Sequence, residues 1–112
     1  MTNSTFIGNV APIVNAAGGG GGAIATTTCP MNISNSTFVN NSAAQVGGAI
    51  SIFQGNAILT NNTFYSNTAH IGGSIDVTAP SVVMTMTNNT IVGNVASVGS
   101  GIYAIKQKSL FD

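Results

Sequence analysis

The sequence repeats one unit four times, and this repetition constrains the fold more than any other feature. In each copy a Thr precedes a large apolar residue, an Asn follows that residue by three positions, and a Gly-rich segment with Ile at its end closes the copy. The large apolar residues are spaced 32, 26 and 27 positions apart, and they are Phe6, Phe38, Phe64 and Ile91. A period in this range is typical of stacked units that bury one shared core.

Short stretches of alternating apolar residues within each copy predict strands rather than helices. Ile50 and Ile52 alternate with smaller residues after one Gly pair, and Ala57 and Leu59 do so before the next Asn pair. Three such strands fall in each copy, separated by the Gly, Asn and Pro residues that turns need. We therefore predict an all-β fold, a right-handed parallel β-helix (a solenoid) of about three and a half coils of roughly 26 residues. The hand follows from the strong preference of parallel crossover connections.

The Asn and Gly columns of the repeat predict the corners of the coils. Asn tolerates the left-handed backbone of a sharp corner, and Gly adopts positive φ without strain. Stacked Asn amides can also hydrogen-bond along the axis of such an assembly. We expect such a column at a tight turn, and the sequence offers two recurring sets, which are Asn9, Asn41, Asn67 and Asn94, and Asn3, Asn35, Asn61 and Asn88.

The chain is predicted to contain one repeat region and a short tail. The β-helix repeat region covers residues 1–105, with a loop insertion around residues 11–20, and a charged C-terminal tail covers residues 106–112. We expect the chain to begin in the middle of a coil, without an amphipathic capping helix before it. Because solenoids need their ends covered, we expect further β-helix coils, of the same or another chain, as partners.

Charged residues make up only 4% of the chain, and this scarcity excludes several classes of function. Nucleic acid is not expected as a partner, because its phosphates require clustered Lys and Arg and the chain has two such residues in all. Glycoside hydrolysis needs two neighbouring carboxylates, whereas the acidic residues are Asp76 and Asp112 alone. Asp76 is predicted to point outward from a strand, in the column of Ser51, and to be solvated. His70 is predicted to lie in a solvated turn.

These observations predict a chain that is not an enzyme and that has no catalytic, cofactor-binding or metal-binding residues. No cofactor is expected. The sequence shows no run of 18 apolar residues, so no membrane span is predicted, and it shows no secretory signal peptide.

Two motifs alternate along the chain, Phe-x-x-Asn and Gly-Gly-Ala-Ile, and their alternation resembles the polymorphic outer membrane protein repeat of chlamydiae. That resemblance implies a pectin-lyase-like right-handed β-helix. The third copy departs from the pattern at Ser74, and the fourth departs at Ile91, Ser100 and Gly101. The residues that carry the two motifs are Phe6, Asn9, Gly21, Gly22, Ala23, Ile24, Phe38, Asn41, Gly47, Gly48, Ala49, Ile50, Phe64, Asn67, Gly72 and Gly73.

The resemblance also implies a function, because both motif types are linked to adhesion in that family. It implies a non-catalytic surface segment, adhesin-like or a spacer, within a larger autotransporter-type protein of the outer membrane. The implied location is the cell surface or the extracellular space, and the implied partner is a surface receptor or a glycan.

Two alternatives come from other classes of protein. One is a fragment of a carbohydrate-active β-helix enzyme whose acidic residues lie outside this sequence. The other is an ice-binding β-helix that presents a Thr face beside an outward column of aliphatic and aromatic residues. The Thr residues are Thr5, Thr37, Thr63 and Thr90, and the neighbouring column is Ile7, Val39, Tyr65 and Val92.

Overall fold

The computed structural model describes residues 1–12, 20–79 and 81–104 as an array of short parallel strands. Within these residues every regular element is a strand. The strands are β1 (Thr5–Ile7), β2 (Val10–Ala11), β3 (Ile24–Thr26), β4 (Met31–Ser34), β5 (Thr37–Val39), β6 (Ser42–Ala43), β7 (Ile50–Ile52), β8 (Ala57–Thr60), β9 (Thr63–Tyr65), β10 (Ile75–Val77), β11 (Met84–Thr87), β12 (Thr90–Val92) and β13 (Ile102–Ala104).

Equivalent strands of successive coils pair with one another and form three main sheets. The Phe sheet contains β1, β5, β9 and β12 in that order, the Ile sheet contains β3, β7, β10 and β13, and the Met sheet contains β4, β8 and β11. A smaller pair joins β2 and β6. Every pairing is parallel, and each joins residues at matched positions of the repeat, such as Phe38 with Phe64. The predicted parallel β-helix is therefore confirmed.

The core is built from the inward side chain of each alternating pair. Phe38, Phe64, Ile50 and Leu59 are completely buried. Burying large apolar side chains of this kind supplies the main driving force for the fold. The ring of Phe38 stacks on Phe64 with 4.8 Å between centroids and 6° between planes, and it stacks on Phe6 in the same way. The 4.8 Å step is also the ordinary spacing of strands in a sheet, so one register serves both the backbone and the rings.

Three corners of each coil have left-handed backbone, and the repeat places a suitable residue at each. The Asn two positions before the Thr of each copy has φ between 51° and 56°, as the conformational tolerance of Asn predicts; these residues are Asn3, Asn35, Asn61 and Asn88. The first Gly of each closing motif has φ between 62° and 68°. The third corner lies directly before the column of Phe-x-x-Asn asparagines. Its residues are Gly8, Asn40, Ser66 and Gly93.

The predicted boundaries of the repeat region fall partly outside the described residues. Residue 105 and the predicted tail 106–112 lie outside them, as do residues 13–19 of the predicted insertion. The described ends of the insertion are strand β2 and Gly20, which forms a parallel bridge with Val46 of the next coil. The structure places no helix in the described residues that is long and apolar enough to cross a membrane.

The expectation that Asp76 is solvated is wrong, because its side chain is only 3% exposed. Asp76 does lie in the column of Ser51, and both face away from the apolar interior of the Ile sheet. The segment before each Gly pair covers this outer side. A Cβ placed on Gly20 would lie 3.0 Å from Ser51 Oγ in the next coil. Val46 is the equivalent of Gly20 one coil further on, and Asp76 is the equivalent of Ser51, so the repeat places Val46 beside Asp76.

Burial raises the pKa of the Asp76 carboxyl above its ordinary value of 3.8, because the charged form loses its hydration. The Thr78 hydroxyl donates a hydrogen bond of 2.9 Å to Asp76 Oδ2, which favours the charged form and offsets part of the increase in pKa. His70 is exposed, as predicted.

Because the Asp76 carboxyl is buried, we expect the free energy of unfolding to fall as the pH rises. Well below pH 3.8 the carboxyl is neutral in both the folded and the unfolded chain. As the pH rises above 3.8 the unfolded chain ionises first, which lowers the free energy of the unfolded state relative to that of the folded state. The free energy of unfolding should therefore decrease through the interval between the unfolded and the folded pKa. Urea unfolding at pH 3 and pH 7 should show this decrease in the natural chain and a smaller one in Asp76→Asn, which keeps an acceptor for Thr78. An equal decrease in both proteins would contradict the assignment.

Replacing Ser74 with Ala, which restores the Gly-Gly-Ala-Ile motif, should stabilise the fold. The side chain of Ser74 is completely buried at the position held by Ala in the first two copies, and its Oγ has no hydrogen-bond partner among the described residues. A buried polar group without a partner costs about 1–3 kcal/mol. Ser74→Ala should raise the free energy of unfolding by about 1 kcal/mol, and the reverse change in the preceding coil, Ala49→Ser, should lower it by a similar amount. A loss of stability in Ser74→Ala would show that the hydroxyl has a partner.

Candidate functional site

Most residues of the two repeat motifs face the interior of the solenoid. Phe38, Phe64, Asn41 and Asn67 are completely buried, and Phe6 is partly covered at the end of its column. The structure brings the Phe residues together in one stack and the Asn residues together in a second. The Gly-Gly-Ala-Ile residues form a corner that leads into the Ile sheet. In the interior coils these side chains hold the coils together instead of lying on a surface.

The Asn column forms a continuous ladder of hydrogen bonds along the axis. The backbone N–H and the side-chain Nδ2 of Asn41 both donate to Asn67 Oδ1, each over 3.0 Å. Asn67 donates in the same way to Asn94 Oδ1 over 2.8 and 2.9 Å. The Nδ2 of Asn67 also donates to the carbonyl of Phe38 in the preceding coil, over 3.0 Å. The predicted stacking of Asn amides is thus confirmed, and both N–H bonds of each interior amide are used.

A second ladder lies at the neighbouring corner, and the sequence analysis missed it. Ser36 N–H donates to Asn62 Oδ1 and Asn62 N–H donates to Asn89 Oδ1, each over 2.9 Å. The Nδ2 of Asn62 donates to the carbonyl of Ile33. The signal for this ladder is present in the sequence, because the second residue of each Asn pair recurs at Asn62 and Asn89. From sequence alone, the second Asn of the pair cannot be distinguished from the first Asn, which has the left-handed backbone of the corner.

The two glycines of each closing motif are required for different reasons. Gly47 has a φ of 64°, so its backbone is left-handed. Gly48 has no such φ, but a Cβ placed on it would fall on the carbonyl oxygen of Gly73 in the next coil. Only Gly allows the two backbones to come this close. The second glycine is therefore a contact between coils, whereas the first is a turn.

The exposed part of the repeat is the outer side of the Phe sheet, which we call the Thr face. Its outward side chains form two parallel columns in the register of the sheet. Tyr65 is 50% exposed and Val92 51% exposed, and Ile7 lies beside them at the first coil. The face carries no charged residue. Its members are Thr5, Thr37, Thr63 and Thr90 in one column, and Ile7, Val39, Tyr65 and Val92 in the other.

The described residues offer little that could support catalysis or metal binding. Asp76, the acidic residue among them, is buried on the outer side of the Ile sheet. No group of three His, Cys, Asp or Glu side chains in this part of the chain could hold a metal ion. That the chain is not an enzyme and uses no cofactor remains a prediction from its composition.

The ladder predicts a large loss of stability when one of its interior members is removed. Asn67→Ala would leave the backbone N–H and one side-chain N–H of Asn41 buried without partners, and it would remove a hydrogen bond from the carbonyl of Phe38. Because each such group costs about 1–3 kcal/mol, we expect the free energy of unfolding to fall by about 3 kcal/mol or more in denaturant titrations followed by circular dichroism.

Asn9→Ala is the matched control, because Asn9 is exposed and, among the described residues, its side chain donates only to Asn41 Oδ1, over 2.9 Å. The backbone N–H of Asn9 keeps its own bond to the same oxygen. We expect a loss of about 1 kcal/mol or less. Similar losses in the two variants would show that the interior ladder does not stabilise the coils.

Two segments of the chain, residues 3–27 and 35–52, match the family model of the Chlamydia polymorphic membrane protein repeat. Each segment contains one Phe-x-x-Asn motif and one Gly-Gly-Ala-Ile motif, and their strands stack on one another in the structure. No curated protein and no solved structure matches the chain. The resemblance identified from the motifs is confirmed, because the first two copies of the unit match the Chlamydia polymorphic membrane protein repeat.

Proposed function

We propose that this chain is a non-catalytic segment of a larger, autotransporter-type surface protein and that it binds a receptor or a glycan on another cell. The observation that carries the proposal is the presence of two matched family repeats in a solenoid whose motif side chains are largely internal. Since the motifs build the scaffold, the binding residues are those that the scaffold displays. The Thr face is the displayed surface that the repeat makes most regular.

A rigid, flat face favours binding because little order has to be imposed on it when a partner docks. Backbone hydrogen bonds to both neighbouring strands hold the interior strands of the Phe sheet, β5 and β9. Tyr65 projects from β9 with half of its surface exposed and Thr63 two residues before it. Exposed aromatic rings with a polar tip are common anchors of interfaces. The absence of charge from this face favours a neutral surface, such as an uncharged glycan or an apolar protein patch.

The proposed location is the outer membrane or cell surface, in keeping with the membrane protein family whose repeat model the first two copies match. Further coils of the same or another chain would extend the solenoid, with β1 as an available edge because it pairs with β5 on one side among the described strands. In that setting the segment also acts as a spacer that holds the Thr face away from the membrane.

The alternatives find less support in the geometry. An ice-binding face needs a surface that repeats without interruption, and Tyr65 interrupts the aliphatic column between Val39 and Val92. A carbohydrate-active enzyme needs a pair of carboxylates, and Asp76 is buried away from the Thr face on the Ile sheet.

The proposal predicts that a charge in the middle of the Thr face abolishes adhesion. Labelled protein should bind cultured epithelial cells saturably, and Tyr65→Lys should weaken the binding at least about tenfold, because a desolvated charge replaces an aromatic anchor. Phe53→Lys is the matched control. Phe53 is also 50% exposed but follows the Ile sheet, so this variant should bind normally.

Circular dichroism would establish that both variants fold. Equal binding by Tyr65→Lys and Phe53→Lys would rule out the Thr face as the adhesive surface. No saturable binding by the natural chain would contradict the adhesive role and leave the role of spacer.

A further inference from the structure

The Tyr65 ring of the Thr face lies beside a small gap at the corner of the following coil. Tyr65 projects from β9, an interior strand that pairs with β5 on one side and with β12 on the other. A Cβ placed on Gly93 would lie 3.6 Å from Tyr65 Cε1 and 3.9 Å from Tyr65 Cδ1. It would also lie 3.9 Å from Ser66 Oγ. We call this gap the Gly93 notch, and an aromatic ring and a hydroxyl group border it together.

Neither backbone conformation nor close packing requires a glycine at this corner. Gly93 has a φ of 65°, and at the equivalent corners Asn40 and Ser66 adopt a φ of 56°. Distances of 3.6 and 3.9 Å are ordinary van der Waals contacts, so a side chain at Gly93 would pack on the Tyr65 ring without a clash. The effect of the glycine is therefore to leave this part of the ring uncovered, and Tyr65 is 50% exposed.

The surroundings of the notch are polar but uncharged. Thr63 lies on the same side of β9 as Tyr65, two residues earlier, and Thr90 pairs with Thr63 in the following coil. Ser66 adds the hydroxyl at the corner itself. Each of these hydroxyl groups both donates and accepts hydrogen bonds. The site thus combines an open aromatic face with neutral hydrogen-bonding groups, which suits a ligand that carries C–H and hydroxyl groups on one small, rigid frame.

We propose that the Gly93 notch binds one ring of an uncharged saccharide, an inference that rests on the adhesive function proposed above. The C–H groups on one face of a pyranose carry slight positive charge and pack on the negative π face of an aromatic ring. The hydroxyl groups at the edge of the same sugar ring would then hydrogen-bond with Thr63, Ser66 and Thr90. A charged ligand would lose its hydration without gaining a counter-charge, because the Thr face carries no charged residue.

An apolar protein surface suits the notch less well than a sugar does. The anchor residues of protein interfaces dock in well-packed pockets from which water is fully excluded. The Tyr65 ring instead lies at the surface of a sheet, between columns of Thr and aliphatic residues. A sugar ring can stack on such a surface and keep its outer hydroxyl groups in water.

Gly93 permits a test that leaves Tyr65 unchanged. Gly93→Asn introduces the residue that Asn40 provides at an equivalent corner, so the fold should be kept while the new side chain covers the ring. Gly8→Asn is the matched control, because Gly8 has a φ of 67° and a Cβ placed there meets no atom of the described residues within 4 Å. Gly93→Asn should bind epithelial cells at least about tenfold more weakly than the natural chain, and Gly8→Asn should bind normally.

Circular dichroism should show the same strand content in the natural chain and in both variants. Gly93→Ser, which introduces the residue found at Ser66, provides a second variant with the same expected loss if the Asn side chain disturbs the fold. Equal binding by the folded Gly93 variants and by Gly8→Asn would overturn the assignment of the notch.

Treatment of the cells before binding identifies the chemistry of the partner. Periodate cleaves the vicinal diols of sugars and should abolish binding, whereas neuraminidase removes charged sialic acid and should leave binding unchanged. Binding that survives periodate but is lost after trypsin would indicate a protein partner, and it would overturn this inference while leaving the adhesive function intact. Loss of binding after neuraminidase would overturn the uncharged ligand. An absence of saturable binding to untreated cells would instead contradict the adhesive function itself.

Discussion

The buried amides that connect one coil to the next are the interaction on which the rest of the structure depends. Asn41 and Asn67 have no contact with solvent, so their polar groups depend on partners one coil away, which are the next Asn of the column and the carbonyl of a Phe residue. A slip of one residue would place these amides against apolar or outward positions and leave them without partners. The ladder therefore selects one register, and the stacked Phe rings and the contacts between glycines follow from that register.

The same register explains why the motif can be short and still specify a fold. Phe-x-x-Asn places an apolar ring and a buried amide on the same inward side of one corner. Gly-Gly supplies a turn and a close approach at another corner. The surface between these positions is free to vary, as Ile7, Val39, Tyr65 and Val92 do in one column. The scaffold and the displayed surface are thus encoded by alternate residues of the same strands.

Departures from the motif are informative because each occurs where the structure tolerates it. Ile91 replaces Phe at the last member of the Phe column, where one neighbouring ring is present instead of two. Gly101 replaces Ala at the last corner. Ser100 replaces the second glycine of the same corner. Ser74 differs from these, because it lies in an interior coil and buries a hydroxyl without a partner. The family model matches the first two copies, which keep both motifs complete.

The sequence by itself determined the architecture. Repeat spacing, alternating apolar residues and recurring Asn and Gly predicted a parallel β-helix and its inward columns, since in a solenoid equivalent residues must stack. Only the tertiary structure decided features that depend on distances between coils or on the path of a corner. The sequence does not show that Val46 lies over the Asp76 column, so Asp76 was expected in water. Nor does it separate the Asn that turns the backbone from the Asn that bonds along the axis, or the Gly needed for φ from the Gly needed for close approach. In each pair the residue type is the same, and only the neighbour in the next coil distinguishes the roles.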